Sequence, residues 1–307
     1  MAQGPRPARR RVDGVLLLDK PVGLSSNTAL QHAKRLYRAE KAGHTGTLDP
    51  LASGLLPLCF GEATKFAQTL LDAPKRYLAT VRFGVATTTG DAEGETVREC
   101  DKVISHDELA AAISRFVGKT VQTPPAYAAL KYQGRKYYEY ARRGIEIPRE
   151  PREVEIAALD LVDWTPPDAV LDIACGKGTY IRVLAEDIAS AAGSCAHLSA
   201  LRRTMTGPFA LAGAITLDAL EAMDAAQRDS LLLSPDAPLA GMARLDVDVP
   251  TARAIVEGRA GAAPADSAGT YRCYGPAGQF LGLVQSVGGA LVAMRLTRTD
   301  GETKRAD

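Results

Sequence analysis

Between Gly43 and Gly54 the sequence sets His44, two hydroxyls (Thr45 and Thr47) and the carboxylate of Asp49 among three glycines and a proline. Asp followed by Pro ordinarily marks a turn, because Asp caps its own backbone and Pro fixes the next dihedral. A plain connector has no need of so many functional side chains on so permissive a backbone. The crowding suits an ordered loop that comes close to a ligand. Asp49 is therefore a candidate functional carboxylate, the residue type that serves as base or nucleophile.

A second constellation is Val170-Leu-Asp-Ile-Ala-Cys-Gly-Lys-Gly-Thr-Tyr180, an apolar strand running into a Gly-x-Gly turn. It imitates the first motif of S-adenosylmethionine-dependent methyltransferases, where glycines let backbone approach the cofactor. Such a site also needs an acidic residue about 20 positions on to hold the ribose hydroxyls. Between Ile188 and Leu217 there is no Asp or Glu, and only 125 residues follow Arg182 to complete a doubly wound sheet.

The elements that must position these residues follow from periodicity. Gly14 to Asp19 reads as a buried strand ended by Pro21 and Gly23. Ser25 and Ser26 offer N-caps to a helix with Leu30, Ala33, Leu36 and Tyr37 on one face. Tyr77 to Phe83 alternates as a strand, and Ser105 with Glu108 matches a capping box ahead of Leu109, Ile113 and Phe116. Strands are expected at Val154 to Leu161 and Val170 to Cys175, then a helix from Tyr180 to Ala192 stopped by Gly193. Between Thr123 and Arg152, five tyrosines interleave with Lys and Arg between flanking prolines, as in a solvent-exposed insertion whose short helix ends at Gly144. Tyr271 to Tyr274, Phe280 to Val287 and Leu291 to Leu296 predict a small β-rich C-terminal domain.

Hydrophobic residues at 46% and charged residues at 24% exclude a chain disordered throughout. No apolar run approaches the roughly 18 residues of a membrane span, and the N-terminus lacks the apolar centre of a signal peptide. A cytoplasmic protein, monomeric and free of membrane contact, is expected. Five widely spaced cysteines without a Cys-x-x-Cys pair support neither a disulfide framework nor a zinc site, and no metal is expected. The net charge of +1 advertises no polyanion partner, but its distribution is uneven. Lys and Arg outnumber Asp and Glu by eight to three over residues 1–40 and by seven to three over residues 131–152. Those blocks suit a phosphate backbone as well as a solvated face.

Six ordered segments carry a resemblance. They are Leu18-Asp-Lys-Pro-Val-Gly-Leu-Ser-Ser26, Gly43-His-Thr-Gly-Thr-Leu-Asp-Pro50, Lys75-Arg-Tyr77, Pro124-Pro-Ala-Tyr127 with Ala129-Leu-Lys131, Gly178-Thr-Tyr-Ile-Arg182 and Leu201-Arg-Arg203. From about Gly14 to Phe209 the chain resembles the TruB family of tRNA pseudouridine synthases, which isomerise the uridine at position 55 of the T arm. Ala128 and Gly176 depart from the family pattern, which commonly has serine at both places.

The resemblance implies an α/β (α+β) pseudouridine-synthase fold with a mixed, mostly antiparallel central sheet. The expected organisation is a disordered basic arm at residues 1–11, a catalytic domain at 12–244 carrying an RNA-binding thumb at 123–152, and a PUA-like β domain at 245–307. The reaction requires no cofactor, in keeping with the absence of a phosphate-binding loop motif. By resemblance Asp49 is the catalytic carboxylate, Arg182 its charge partner and Tyr77 the ring stacked on the target base, its hydroxyl placed to assist loss of the C5 proton. His44 fills the space of an extruded base, Tyr180 and Leu201 belong to the wall of the substrate pocket, and Lys20 lies near the substrate or supports the loop. Lys131, Arg135, Lys136, Arg142 and Arg143 would meet the backbone of the tRNA T stem-loop. Two rival classes make different predictions. An S-adenosylmethionine-dependent RNA methyltransferase binds its cofactor near Gly176 and Gly178, and a non-catalytic tRNA-binding or folding protein binds tRNA without turnover.

Overall fold

Burial alternates along Lys75–Phe83, with Lys75, Tyr77, Ala79, Val81 and Phe83 turned inward, as the period-two pattern predicts for a strand with one covered face. The computed structural model describes residues 8–265 and 267–298, and among them this strand is one of ten in a single sheet. The ten are β1 (Gly14–Lys20), β2 (Ala42–His44), β3 (Ala52–Phe60), β4 (Lys75–Phe83), β5 (Gly118–Gln122), β6 (Arg152–Thr165), β7 (Asp168–Cys175), β8 (Ala196–Thr206), β9 (Phe209–Ala210) and β10 (Ile215–Thr216). Across the sheet the order is β10-β1-β3-β8-β4-β7-β6-β5, with β2 added to β3 and β9 to β8. Only β1 with β10 and β3 with β8 run parallel, so the sheet is mixed and mostly antiparallel as expected.

Both faces of β1 are covered, which is why its sequence is continuously apolar rather than alternating. Leu16 and Leu18 enter the main core, and Val15 and Leu17 pack behind it with Leu55, Leu70 and Phe209. Against the main core lie α1 (Ser26–Leu36), α2 (His106–Ser114) and, after the short α3 (Tyr137–Ala141) of the insertion, α4 (Ile181–Ala191). Ser25 caps α1 by accepting from Thr28 N–H, the Ser105–Glu108 capping box forms ahead of α2, and Gly193 turns left-handed (φ 74°) after α4. The insertion leaves the sheet between Gln122 and Arg152, which are cross-strand partners. Its helix stops at Ala141, and Gly144 takes the expected left-handed conformation at φ 66°.

The C-terminal unit is a second sheet of five strands, β11 (Arg244–Asp246), β12 (Gly261–Ala262), β13 (Gly269–Tyr274), β14 (Phe280–Val287) and β15 (Ala290–Leu296), in the order β11-β13-β14-β15-β12. It has its own core around Ile255, Leu281, Val284 and Leu291. It meets the larger unit through the edge-to-face pair of Phe66 and Phe280, 5.4 Å between centroids, and through Lys65 Nζ donating to Leu296 O at 2.9 Å.

Two sequence readings are corrected here. Of the arm expected to be disordered, residues 1–7 lie outside the described residues, but Arg10 is held: it pairs with Asp229 through both guanidinium nitrogens and donates from Nε to Tyr37 O. Two cysteines remote in sequence also come together. Cys100 and Cys195, 95 residues apart, form a disulfide with their Cα atoms at 5.9 Å, while Cys59, Cys175 and Cys273 are buried free thiols. The Gly176 to Gly178 turn follows a strand set antiparallel between β4 and β6, so the dinucleotide-type crevice at the end of parallel strands does not form there.

Candidate active site

The loop from Thr45 to Leu51 is fixed before its carboxylate is considered. Thr45 donates from both N–H and Oγ1 to Pro57 O, and Ser26 Oγ accepts from Leu48 N–H at 2.8 Å while donating to Leu48 O at 3.0 Å. This is why the second of the two serines does not cap α1: its hydroxyl staples the loop one residue before Asp49. Gly46 has φ 89° and lies so close to Arg203 that a Cβ there would meet its guanidinium at 3.3 Å. Gly54, with φ 97°, lets β3 approach β8 so closely that a Cβ would sit 2.3 Å from Arg203 O. The loop is ordered, as its composition predicts, although its two ends are strand.

Asp49 Oδ2 stands 3.0 Å from Arg182 Nη2, with the carboxylate 42% exposed into a cleft and the arginine buried. Arg182 projects from the first turn of α4 and spends its fork on several acceptors. Nη1 donates to Thr89 O and Nη2 to Tyr127 O, both at 2.8 Å, and Nη1 also faces Asp91 Oδ2 at 3.6 Å. Asp91 is itself fixed, accepting from Thr89 Oγ1 at 2.5 Å and from Glu93 N–H at 3.1 Å. One buried cation thus serves two carboxylates. Burial pushes the Asp49 carboxyl above its usual range; Arg182 opposes that shift and Asp91 adds to it.

The cleft beside Asp49 has a volume of about 310 Å³ and is walled by Tyr77, Tyr180, Leu201, Arg203 and Lys75. That is the low end of the range for small-ligand sites, room for a single base with its sugar rather than a duplex. Tyr77 is buried, and burial holds its phenol above the ordinary value against the opposing charge of Arg203. Arg203 is 1% exposed and donates from Nε to Leu55 O at 2.7 Å. Lys75 donates to Leu71 O and Ala73 O, and burial lowers its ammonium to about 8.

On the other side of Asp49 a second cavity of about 610 Å³ opens toward the insertion, bounded by His44, Glu93, Lys136, Tyr138 and Arg142. Burial, with Arg203 and Lys136, lowers the His44 imidazole, so it stands neutral near pH 7 with Nδ1 buried and unpartnered. Lys136 and Arg142 each lie 5.3 Å from the centre of the Tyr138 ring.

The structure therefore brings Asp49, Arg182, Tyr77, Tyr180 and Leu201 to one cleft and His44 to the adjoining cavity on the other side of Asp49. Lys20 is not among the cleft walls. It is fully buried, donates to Pro21 O and Leu24 O, and is lowered to about 8 by burial, so it braces the turn before α1. Lys131, Arg135 and Arg143 are exposed on the insertion and line neither cavity. Sequence reasoning missed Asp91 and Arg203 as site residues. Arg203 lay within a quoted motif, but nothing local marks Asp91 in Thr87-Thr-Thr-Gly-Asp91 as buried. Among the described residues no group of three or more His, Cys, Asp or Glu side chains could hold a metal ion.

This sheet order with a C-terminal β unit is the fold of the pseudouridine synthases. The chain superposes on the structure of a Cbf5-Nop10-Gar1 complex with a TM-score of 0.71 over 92% of this chain and 84% of that one, at 23% identity. On the archaeal box H/ACA sRNP Nop10-Cbf5 complex the TM-score is 0.70 at 22% identity, covering 92% and 85%. The model of the TruB family pseudouridylate synthase N-terminal domain matches residues 34–181, and that of the tRNA pseudouridylate synthase B C-terminal domain matches residues 182–240. The chain is 52% identical to tRNA pseudouridine synthase B of Thiobacillus denitrificans over 96% of its own length and 99% of the relative's. It is 53% identical to the Burkholderia mallei protein of that description, covering 96% and 97%. The chain belongs to the TruB family of pseudouridylate synthases and is an isomerase. The two family models divide at the start of α4, within the structural unit that the ten-stranded sheet defines.

Proposed function

We propose that this enzyme converts uridine 55 in the T loop of tRNA to pseudouridine, with Asp49 as the carboxylate that acts on the ribose. The observation that carries this reading is the Asp49 to Arg182 pair at 3.0 Å on the wall of a cleft sized for one nucleoside and floored by Tyr77. A stacked base cannot enter such a cleft, so the uridine is extruded from the folded loop. The neutral ring of His44, in the cavity on the other side of Asp49, replaces its stacking, and Tyr77 receives the uracil face. Asp49 then attacks C1′ or takes the C2′ proton. The C1′–N1 bond breaks, the freed uracil turns, and C5 bonds to C1′ as the carboxylate leaves C1′ or the proton returns to C2′; the C5 hydrogen then leaves as a proton while N1 gains one. Atoms and oxidation state balance without a cofactor or water.

The insertion at residues 123–152 acts as a thumb on the RNA backbone, with Lys131, Arg135, Lys136, Arg142 and Arg143 contributing phosphate contacts. The C-terminal sheet, PUA-like in this reading, extends the RNA surface, and the enzyme works as a cytoplasmic monomer. Asp49→Asn tests the assignment: the amide keeps the shape of the side chain and loses its charge. Tritium release from tRNA labelled at uracil C5 should vanish while tRNA affinity is retained. Full release by that variant, or release undiminished when uridine 55 of the labelled tRNA is replaced by cytidine, overturns the proposal.

A further inference from the structure

Gln122 is 2% exposed at the last position of β5, and both ends of its amide engage the backbone of one residue. Oε1 accepts from Tyr180 N–H at 3.0 Å, and Nε2 donates to Tyr180 O at 3.3 Å. Tyr180 is the N-cap of α4, a place where Ser, Thr, Asp or Asn ordinarily fixes the helix start; it makes no side-chain cap bond. Gln122, from a strand of the sheet, instead holds the backbone N–H and O of the cap residue itself. Two residues into the cap lies Arg182, the partner of Asp49.

The other end of this linkage is the insertion. Gln122 and Arg152, as cross-strand partners, are its two feet. Five residues beyond Gln122, Tyr127 O accepts from Arg182 Nη2 at 2.8 Å. The insertion is thus tied to the start of α4 twice, once through Gln122 to Tyr180 and once through Tyr127 to Arg182. A buried amide needs partners merely to be tolerated. These partners, however, lie in the cleft wall and one step from the guanidinium that faces Asp49.

Resting on the roles proposed above for Asp49 and Arg182, we infer that Gln122 is a positioning residue for the isomerisation. It holds Tyr180 and the first turn of α4 in register with the foot of the insertion, so that Arg182 meets Asp49 when the insertion is seated. Small displacements of a reacting constellation are costly: about 1 Å can cost on the order of a hundredfold in rate.

Gln122→Met keeps the side-chain length and removes both bonds. Single-turnover tritium release at saturating enzyme should fall about tenfold or more, with the Kd for tRNA within about twofold of wild type. Gln122→Glu keeps the acceptor for Tyr180 N–H and regains the donor only when protonated. Its rate relative to wild type should therefore rise as the pH is lowered, a response that lost stability alone would not give. A Gln122→Met enzyme that turns over at the wild-type rate, or whose whole loss lies in Kd, refutes the inference. Should that variant not fold, a pH-independent ratio for Gln122→Glu refutes it instead. Asp49→Asn run in parallel keeps the two proposals apart: turnover by that variant would fault the role of Asp49, not that of Gln122.

Discussion

Replacing Arg182 by Met removes the one cation that the half-buried carboxylate of Asp49 and the buried carboxylate of Asp91 share. At the 3.0 Å separating Arg182 Nη2 from Asp49 Oδ2, two unit charges attract by roughly 5.5 kcal/mol at an effective dielectric of about 20 and by roughly 1.4 kcal/mol in bulk water. The Asp49 side chain is partly open to the cleft, so the interaction falls between those limits. Each 1.36 kcal/mol of differential ionisation corresponds to about one pH unit. The sign is set by charge: Arg182 favours ionised Asp49, so its loss pushes the carboxyl further up. Burial already raises the Asp49 carboxyl, and the acid limb of activity that its ionisation is proposed to set should move upward by about one to four pH units.

Single-turnover tritium release measured from pH 5 to pH 9 reads that limb directly. Thermal melting of each variant is the control, because leaving a buried charge unpaired costs about 3–5 kcal/mol in stability. Arg182→Lys sharpens the test. Its ammonium keeps the charge but cannot reach Asp49, Asp91, Thr89 O and Tyr127 O at once, so the limb should stay near that of wild type while the plateau rate falls. A folded Arg182→Met enzyme with an unmoved acid limb and a wild-type plateau would refute the reasoning.

Three further outcomes are expected. Asp91→Asn deletes the negative charge that helps to raise Asp49, so its acid limb should shift to lower pH even as a less constrained Arg182 lowers the plateau; a shift to higher pH would contradict this. Exchanging Lys131, Arg135, Lys136, Arg142 and Arg143 together for Ala should weaken tRNA binding and flatten the dependence of log K on log salt by up to about four. An unchanged slope would remove the insertion from the phosphate contacts. Titration of unfolded, unreduced protein with a thiol reagent should count three free thiols, those of Cys59, Cys175 and Cys273, rising to five on reduction.

What the sequence made legible was local. The alternation from Tyr77 to Phe83 places Tyr77 on the covered face of β4, and the Ser105–Glu108 box and the left-handed glycines stand where their chemistry requires. Periodicity says which face of a strand is buried but not which strand lies beside it. The parallel contact of Leu201 with Ala52, which sets Leu201 beside the Asp49 loop, was therefore open to resemblance and closed to pattern. The Cys100 to Cys195 bridge escaped for the same reason, since only the folded chain brings Cys100 against the start of β8.

The charged residues show a deeper limit. Composition places arginines and aspartates on the surface, and for most of this chain that is right. Among the described residues Arg182, Arg203, Asp91 and Asp236 are the exceptions, and the first three of these buried groups meet at the site. A buried guanidinium is tolerated only when its donors are matched, and these two find carbonyls at Thr89, Tyr127 and Leu55 before any carboxylate is considered. The backbone acceptors hold the cations in place, leaving their charge directed at Asp49 and at the phenol of Tyr77. A fold that fixes two cations beside one nucleoside-sized cleft is prearranged to keep negative charge there. That arrangement depends on carbonyl groups every residue possesses, so no side-chain pattern in the sequence announces it.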